Sequence, residues 1–146
     1  MPTQTLETQM AADKTRMAAD EINRVTERII GAAQRVSNVL GEGFLEKIYE
    51  NALVLELRKA GLRVDQQCPV HVRYDGEIIG AYLADLLVEG TVVVELKAVT
   101  VLERVHRSQC VNYLRATGLP ICLLLNFGQR RLEVRRIVHR LALSPL

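Results

Sequence analysis

The sequence predicts an α/β fold, a mixed β-sheet flanked by helices, on three observations. Apolar residues recur at three- and four-residue steps before Gly61; after it they alternate with polar ones around the tight-turn pair Asp75-Gly76; and a continuous apolar run, Ile121 to Leu125, follows a third helical stretch. At 146 residues the chain is long enough for one domain with a sizeable core and too short for two ordinary ones.

Taken in order, residues 1–21 form an N-terminal segment with a short echo, QMAADKT then RMAADEI. It is alanine-rich and poor in large apolar residues, which predicts a frayed or loosely docked helix. From Ile22 the spacing of Ile22, Val25, Ile29, Ala32 and Val36 predicts an amphipathic helix to about Leu40, stopped by Gly41-Glu42-Gly43. A second helix spans about Phe44 to Ala60, with Gly61 as its C-terminal stop. Three strands follow: one ending at Tyr74, one from Glu77 to Val88, and one from Thr91 to Ala98 after a break at Glu89-Gly90. Val101 to Thr117 reads as a third helix with Gly118 as its stop. Ile121 to Leu125 reads as a central strand covered on both faces, and Leu132 to Val138 as the last strand. The order is α-α-β-β-β-α-β-β, and the helix between the third and fourth strands permits parallel pairing. Residues 22–146 thus form a single domain.

Nearly half the residues are apolar and a quarter are charged, which excludes wholesale disorder. No window has the long uncharged apolar stretch of a membrane span, and the N-terminus does not resemble a secretory signal, so a cytoplasmic location is expected. The three cysteines, Cys68, Cys110 and Cys122, are widely spaced and unpaired in pattern. That argues against a disulfide framework or a zinc knuckle and predicts buried structural thiols. The formal charge is +2, but from Val101 onward there are eight arginines and no lysine against Glu103 and Glu133. This basic region is compatible with a phosphate-bearing partner, and equally with a solvated surface.

Chemistry concentrates in the hairpin GAYLADLLVEGTVVVELKAV. With a three-residue loop centred on Gly90, Asp85 faces Glu95 with Cβ atoms about 4.5–5.5 Å apart, and Lys97 shares the face of Glu95 while Leu96 points away. Facing carboxylates in a half-buried site repel by about a few kcal/mol, and a hard divalent cation removes that repulsion. Mg2+ or Mn2+ suits two carboxylates plus the backbone carbonyl of Leu96. Lys97 can then orient a water or stabilise charge on a phosphate. A two-residue loop would instead put the acids on opposite faces. Alternatively, Lys97 pairs with one acid while the other faces solvent.

The run GEGFLEKIYENAL at Gly41 to Leu53 resembles the signature of the GxxExxY protein family, a branch of the PD-(D/E)XK nuclease-like superfamily. ADLLVEGTVVVELKAV resembles that superfamily's metal motif, and HRSQCVNYLRATGLPICLLLNFG its third block; the three stand in order between about Ile22 and Val138. The resemblance implies a restriction-endonuclease-like αβββαβ core with an extra N-terminal helix. It implies further that Asp85 and Glu95 bind the metal, that Lys97 is the catalytic lysine, that Glu46 is a helix-borne acid near the metal, and that Gln109 is the glutamine on the helix after the lysine strand. Ala84 stands where the superfamily name records proline, and Ser37 and Asn38 stand where relatives often have a histidine and a polar residue.

Read without the resemblance, Glu46 is equally a solvated first-turn glutamate. Gln109 lies on a partly apolar stripe with Leu102, His106 and Tyr113. His106 reads as a structural histidine before a phosphate contact or proton relay, and Tyr49 as packing, its hydroxyl within reach of a site carboxylate. The functional expectation is a Mg2+- or Mn2+-dependent nuclease acting on DNA, with Arg104, Arg107, Arg130 and Arg131, and further Arg135 and Arg136, contacting phosphates. The competing expectations are a non-catalytic nucleic-acid or protein interaction module on the same scaffold, and a hydrolase of a small phosphorylated molecule. A homodimer is a weaker expectation.

Overall fold

A computed structural model describes residues 6–139, with side chains from Ala18 onward; residues 1–5 and 140–146 lie outside it. The element order is α1 (Leu6–Leu40), α2 (Glu46–Lys59), β1 (Val64–Tyr74), β2 (Glu77–Val88), β3 (Val92–Lys97), α3 (Arg104–Thr117), β4 (Ile121–Asn126) and β5 (Glu133–Val138). One helix runs through both of the N-terminal stretches that the sequence separates. The reason is propensity: no glycine or proline interrupts Leu6 to Ile30, so helix formers carry the backbone into the docked portion. Among the described side chains, Ile22 is the first that is buried.

The five strands form one sheet in chain order. β1, β2 and β3 pair antiparallel, β3 and β4 pair parallel across the α3 crossover, and β4 and β5 pair antiparallel. Helices α1 and α2 cover one face, where Ile29, Leu53 and Leu57 pack on Val94, Leu96, Leu123 and Leu125. Helix α3 covers the other, where Cys110, Tyr113 and Leu114 pack on Val93, Cys122 and Leu124. Cover on both sides explains why β3 and β4 are nearly continuous apolar runs rather than alternating ones. Cys110 and Cys122 are buried free thiols, whereas Cys68, on the edge strand β1, is only partly buried. Among the described residues its strand has no neighbour on its outer side.

The turns fall where the sequence places them. Asp75 and Gly76 both adopt positive φ, 51° and 79°, as a two-residue hairpin of strongly twisted strands requires. Helix α3 starts at Arg104 rather than Val101, because Glu103 and His106 cap it reciprocally. The Glu103 carboxylate accepts the His106 N–H, and His106 Nδ1 accepts the Glu103 N–H at 3.0 Å. His106 is therefore the structural histidine that its pattern suggested, its ring committed to the helix start.

Beyond β3 the chain is locked to β4 by one side chain. Asn126 is fully buried; its Oδ1 accepts the N–H groups of Val99 and Gly128, both at 3.0 Å, and its amide donates to the Val99 carbonyl at 2.9 Å. Phe127 N–H adds a 2.8 Å bond to the Lys97 carbonyl. Gly128 is obligatory here, since a Cβ would lie 2.3 Å from the Val99 backbone nitrogen and oxygen. Gly128→Ala must push this segment off β4, and a loss of about 1–3 kcal/mol is expected, read as a lowered urea midpoint with unchanged slope. An unshifted midpoint would show that the close approach is not obligatory.

Candidate active site at the fork of two strands

The loop between β2 and β3 is the three residues Glu89-Gly90-Thr91, and the register is Leu86↔Val94, Leu87↔Val93 and Val88↔Val92. Continuing it places Asp85 opposite Glu95, as the three-residue loop predicts. Pairing nevertheless stops at Leu86↔Val94, and the two acids take over from the ladder. The Asp85 N–H donates to Glu95 Oε1 at 2.8 Å, and the Leu96 N–H donates to Asp85 Oδ2 at 2.9 Å. Each carboxylate thus satisfies a backbone donor of the opposite strand. The strands are held apart by side chains at the point where they would otherwise close.

Burial gives this arrangement its electrostatic character. Glu95 is only 2 % exposed and its pKa is pushed up to about 9, first by burial and then by repulsion from Asp85. Asp85 is raised for the same first reason, against the pull of the Leu96 N–H and the Gln67 amide. Glu46, half-buried at the start of α2, is raised by burial and by Asp85 and Glu50. Lys97 opposes all three shifts, which places its ammonium among them; within the described residues it makes no ion pair closer than 4.0 Å. Because Val93 packs under α3 and Val94 and Leu96 pack under α1 and α2, Glu95 and Lys97 share one side of β3. The structure therefore brings together four of the residues that the sequence singles out: Glu46, Asp85, Glu95 and Lys97.

Gln109 takes a more remote place. Its amide donates to the Tyr113 hydroxyl at 2.9 Å, and that hydroxyl donates to the Leu83 carbonyl at 3.2 Å, two residues before Asp85. Tyr113 is buried and its hydroxyl is held well above its ordinary range by burial and by Glu95. Gln109 thus adjoins the acids through Tyr113.

Two residues at the site carry no signal used in the sequence reading. Glu50, 2 % exposed, lies one helical turn after Glu46 and accepts bonds from Lys47 Nζ at 2.8 Å and from the amides of Gln66 and Gln67. Gln67 also reaches Asp85 Oδ1 at 3.4 Å, so Glu50 is tied to the fork through one amide. The spacing of Glu46 and Glu50 on one helix face was available as a signal. Gln67 offered none, since it sits at a positive φ of 54° that distorts β1 opposite Asp85.

Helix α2 is aimed at the fork by the loop before it. Tyr49 donates to the Gly41 carbonyl at 2.6 Å, accepts the Phe44 N–H at 3.2 Å, and stacks on Phe127 with ring centroids 4.8 Å apart. Its hydroxyl is therefore spent on the loop and does not bond a site carboxylate. Arg104, Arg107, Arg130 and Arg131 are exposed. Arg135 and Arg136 are engaged elsewhere, Arg135 with Glu133 at 2.8 Å and Arg136 with Asn23 and Thr26. Arg136 thus ties β5 to α1, while Arg135 pairs with a neighbour on its own strand.

The donors at the fork suit a hard cation: two carboxyl groups whose pKa values are raised first by burial and then by neighbouring acids, and the Leu96 carbonyl, which points the same way as its N–H, toward Asp85. Among the described residues, no group of three His, Cys, Asp or Glu side chains is gathered closely enough to enclose a metal. A cation held here would keep most of its coordination for water or substrate, as Mg2+ commonly does.

The PD-(D/E)XK nuclease superfamily model matches residues 23–137. No curated protein matches the chain. Among solved structures, an alkaline exonuclease from Laribacter hongkongensis is similar, with a TM-score of 0.45 and 16% identity over 76% of this chain and 78% of that one. Among the described residues no helix is long and apolar enough to cross a membrane.

The raised pKa of Glu95 makes a signed prediction for the metal-free protein. A carboxyl that holds its proton up to about pH 9 when folded, against 4.5 ordinarily, contributes stability below pH 4.5 that is lost as the pH rises toward 9. Glu95→Gln removes that loss while keeping an acceptor for the Asp85 N–H. In EDTA its melting temperature should exceed the parent's near pH 9, with the gap closing toward pH 4.5. A gap independent of pH would refute the buried-acid description.

Proposed function

Because the chain belongs to the PD-(D/E)XK nuclease superfamily, we propose that the fork is the active centre of a Mg2+- or Mn2+-dependent nuclease that hydrolyses phosphodiester bonds of DNA. The observation that carries the reading is the reciprocal bonding of Asp85 and Glu95 to each other's strands, which presents a half-buried and a buried carboxyl group side by side with Lys97 beside them. The sequence around α2, Gly43-x-x-Glu46-x-x-Tyr49, further supports membership of the GxxExxY branch. Its glycine and tyrosine build the loop, and its glutamate faces the fork.

Asp85, Glu95 and the Leu96 carbonyl would hold the cation, which when bound lowers the pKa of a coordinated water and neutralises charge on the phosphate. The chain's own residues do the rest. Lys97, positioned by the Phe127 N–H on its carbonyl and by the Asn126 clamp beyond it, stabilises charge developing on the phosphate oxygens. Glu46, whose pKa burial raises above the usual carboxylate value, is suited to take a proton from an attacking water. Glu50 holds Gln67 against Asp85 and so steadies the acid from behind. Arg104, Arg107, Arg130 and Arg131 supply contacts to backbone phosphates, and with no base-reading element among them sequence preference should be weak.

Asp85→Ala and Lys97→Ala should each lower Mg2+-dependent cleavage of plasmid or oligonucleotide DNA by about a hundredfold or more while melting as cooperatively as the parent. Calorimetric titration with Mn2+ should show binding to the parent and to Lys97→Ala, and none to Asp85→Ala. A parent that neither binds Mn2+ nor cuts DNA would favour a non-catalytic interaction module on this scaffold.

A further inference from the structure

The β1–β2 hairpin is longer than the sheet it belongs to. Pairing between β2 and β3 ends at Leu86, so Glu77 to Leu83 project past the fork as a two-stranded arm joined to the rest of the sheet only at its base. The arm lies alongside α3, and between them runs a trough. At the end near the fork it is lined by Gln109 and Tyr113, in its middle by Tyr82 and Asn112, and at its far end by Arg73 and Arg115. Tyr82 is 46 % exposed, standing edge-on to Tyr113 at a ring-centroid distance of 5.7 Å. Among the described residues no carboxylate lines the trough.

An aromatic ring with an open face, two amide side chains beside it and two guanidinium groups beyond it are the chemistry that recognises an unpaired nucleotide. The ring offers a stack to any base, the amides bond its edge, and the arginines meet the phosphates on either side. A duplex hides its base faces and would leave Tyr82 unused. We propose that this trough binds a single nucleic-acid strand next to the fork, with a base stacked on Tyr82 and the backbone led past Arg73 and Arg115. The inference rests on the nuclease reading of the fork and deepens it, since it makes the substrate a single strand or the frayed end of a duplex. The trough continues to Tyr113, whose hydroxyl bonds Leu83 two residues before Asp85, so a strand lying in it is delivered to the carboxylates.

The test is fluorescence anisotropy of a labelled oligothymidylate with the full chain in EDTA, over a range of salt, so that binding is read without cleavage. Tyr82→Ala should weaken binding about five- to a hundredfold, the loss of one base stack, with the salt dependence unchanged, and Tyr82→Phe should retain the parent's affinity. The double variant Arg73→Ala/Arg115→Ala should lower the slope of log affinity against log salt by about 1.4, roughly 0.7 for each phosphate released. A parent that does not bind the oligonucleotide, a Tyr82→Ala variant that binds like the parent, or an unchanged slope in the double variant would each overturn the trough. A chain that binds through Tyr82 yet cuts nothing with Mg2+ keeps the trough and loses the nuclease. A chain that cuts while Tyr82→Ala binds normally does the reverse.

Discussion

The exchange of backbone bonds between Asp85 and Glu95 governs the rest of this structure. In an ordinary hairpin the N–H groups of Asp85 and Leu96 would be used for ladder bonds or exposed to water. Here each is satisfied by a carboxylate from the opposite strand. That substitution ends the pairing of β2 with β3 at Leu86 and frees the remainder of β2 to leave the sheet as an arm. It also sets two acids where β3, filled with valine and leucine, can offer no counter-charge except Lys97. Opening of the sheet, concentration of charge and placement of the lysine follow from one pair of hydrogen bonds.

Two supports keep the fork from relaxing. On the first side, the loop from Gly41 to Leu45 is closed by the Tyr49 hydroxyl and backed by the stack of Tyr49 on Phe127, which aims the start of α2 and its Glu46 at the acids. Glu50 then draws Gln66 and Gln67 of β1 toward the same helix. On the second side, Asn126 joins the exit of β3 to the end of β4, so that Lys97 leaves a strand fixed at both ends. A buried asparagine with its polar atoms satisfied costs little and specifies one register, which an apolar residue in the same place would not. Phe127 contributes to both supports, through its ring and its N–H.

Much of the site was legible because it depends on short-range order. The register that sets Asp85 opposite Glu95 is fixed by a three-residue loop, and the face shared by Glu95 and Lys97 by strand alternation, both local properties. Glu46 and Glu50 lie one turn apart on a helix, so the second glutamate could be inferred from the first. Asn126, polar at the end of ICLLLN, also announces itself, since a central strand rarely ends so without a task for the amide. Gln67 does not, because its approach to Asp85 depends on a local backbone distortion with positive φ. That the Tyr49 hydroxyl would be used by the loop before α2, and the Arg136 guanidinium by α1, was not legible for a related reason. Side-chain partners far apart in sequence are selected by packing, as when Arg136 meets Asn23 and Thr26 across the sheet.

By itself, the sequence determined the order of helices and strands and their turns, permitted the parallel crossover, and tied the register of the β2–β3 hairpin to the length of its loop, since periodicity, glycine position and loop length act within a few residues. The tertiary structure alone decided that the two acids would open the strands by bonding to the opposite backbone. It also decided that Glu50 and Gln67 would stand behind Asp85, and that a trough would form between the projecting arm and α3. Each of these joins groups from separate elements, and their distances are set by the way two helices on one face and one on the other seat against a shared sheet. The pair that the hairpin register placed face to face is therefore known from the sequence as a position, and from the fold as the wedge that opens the sheet.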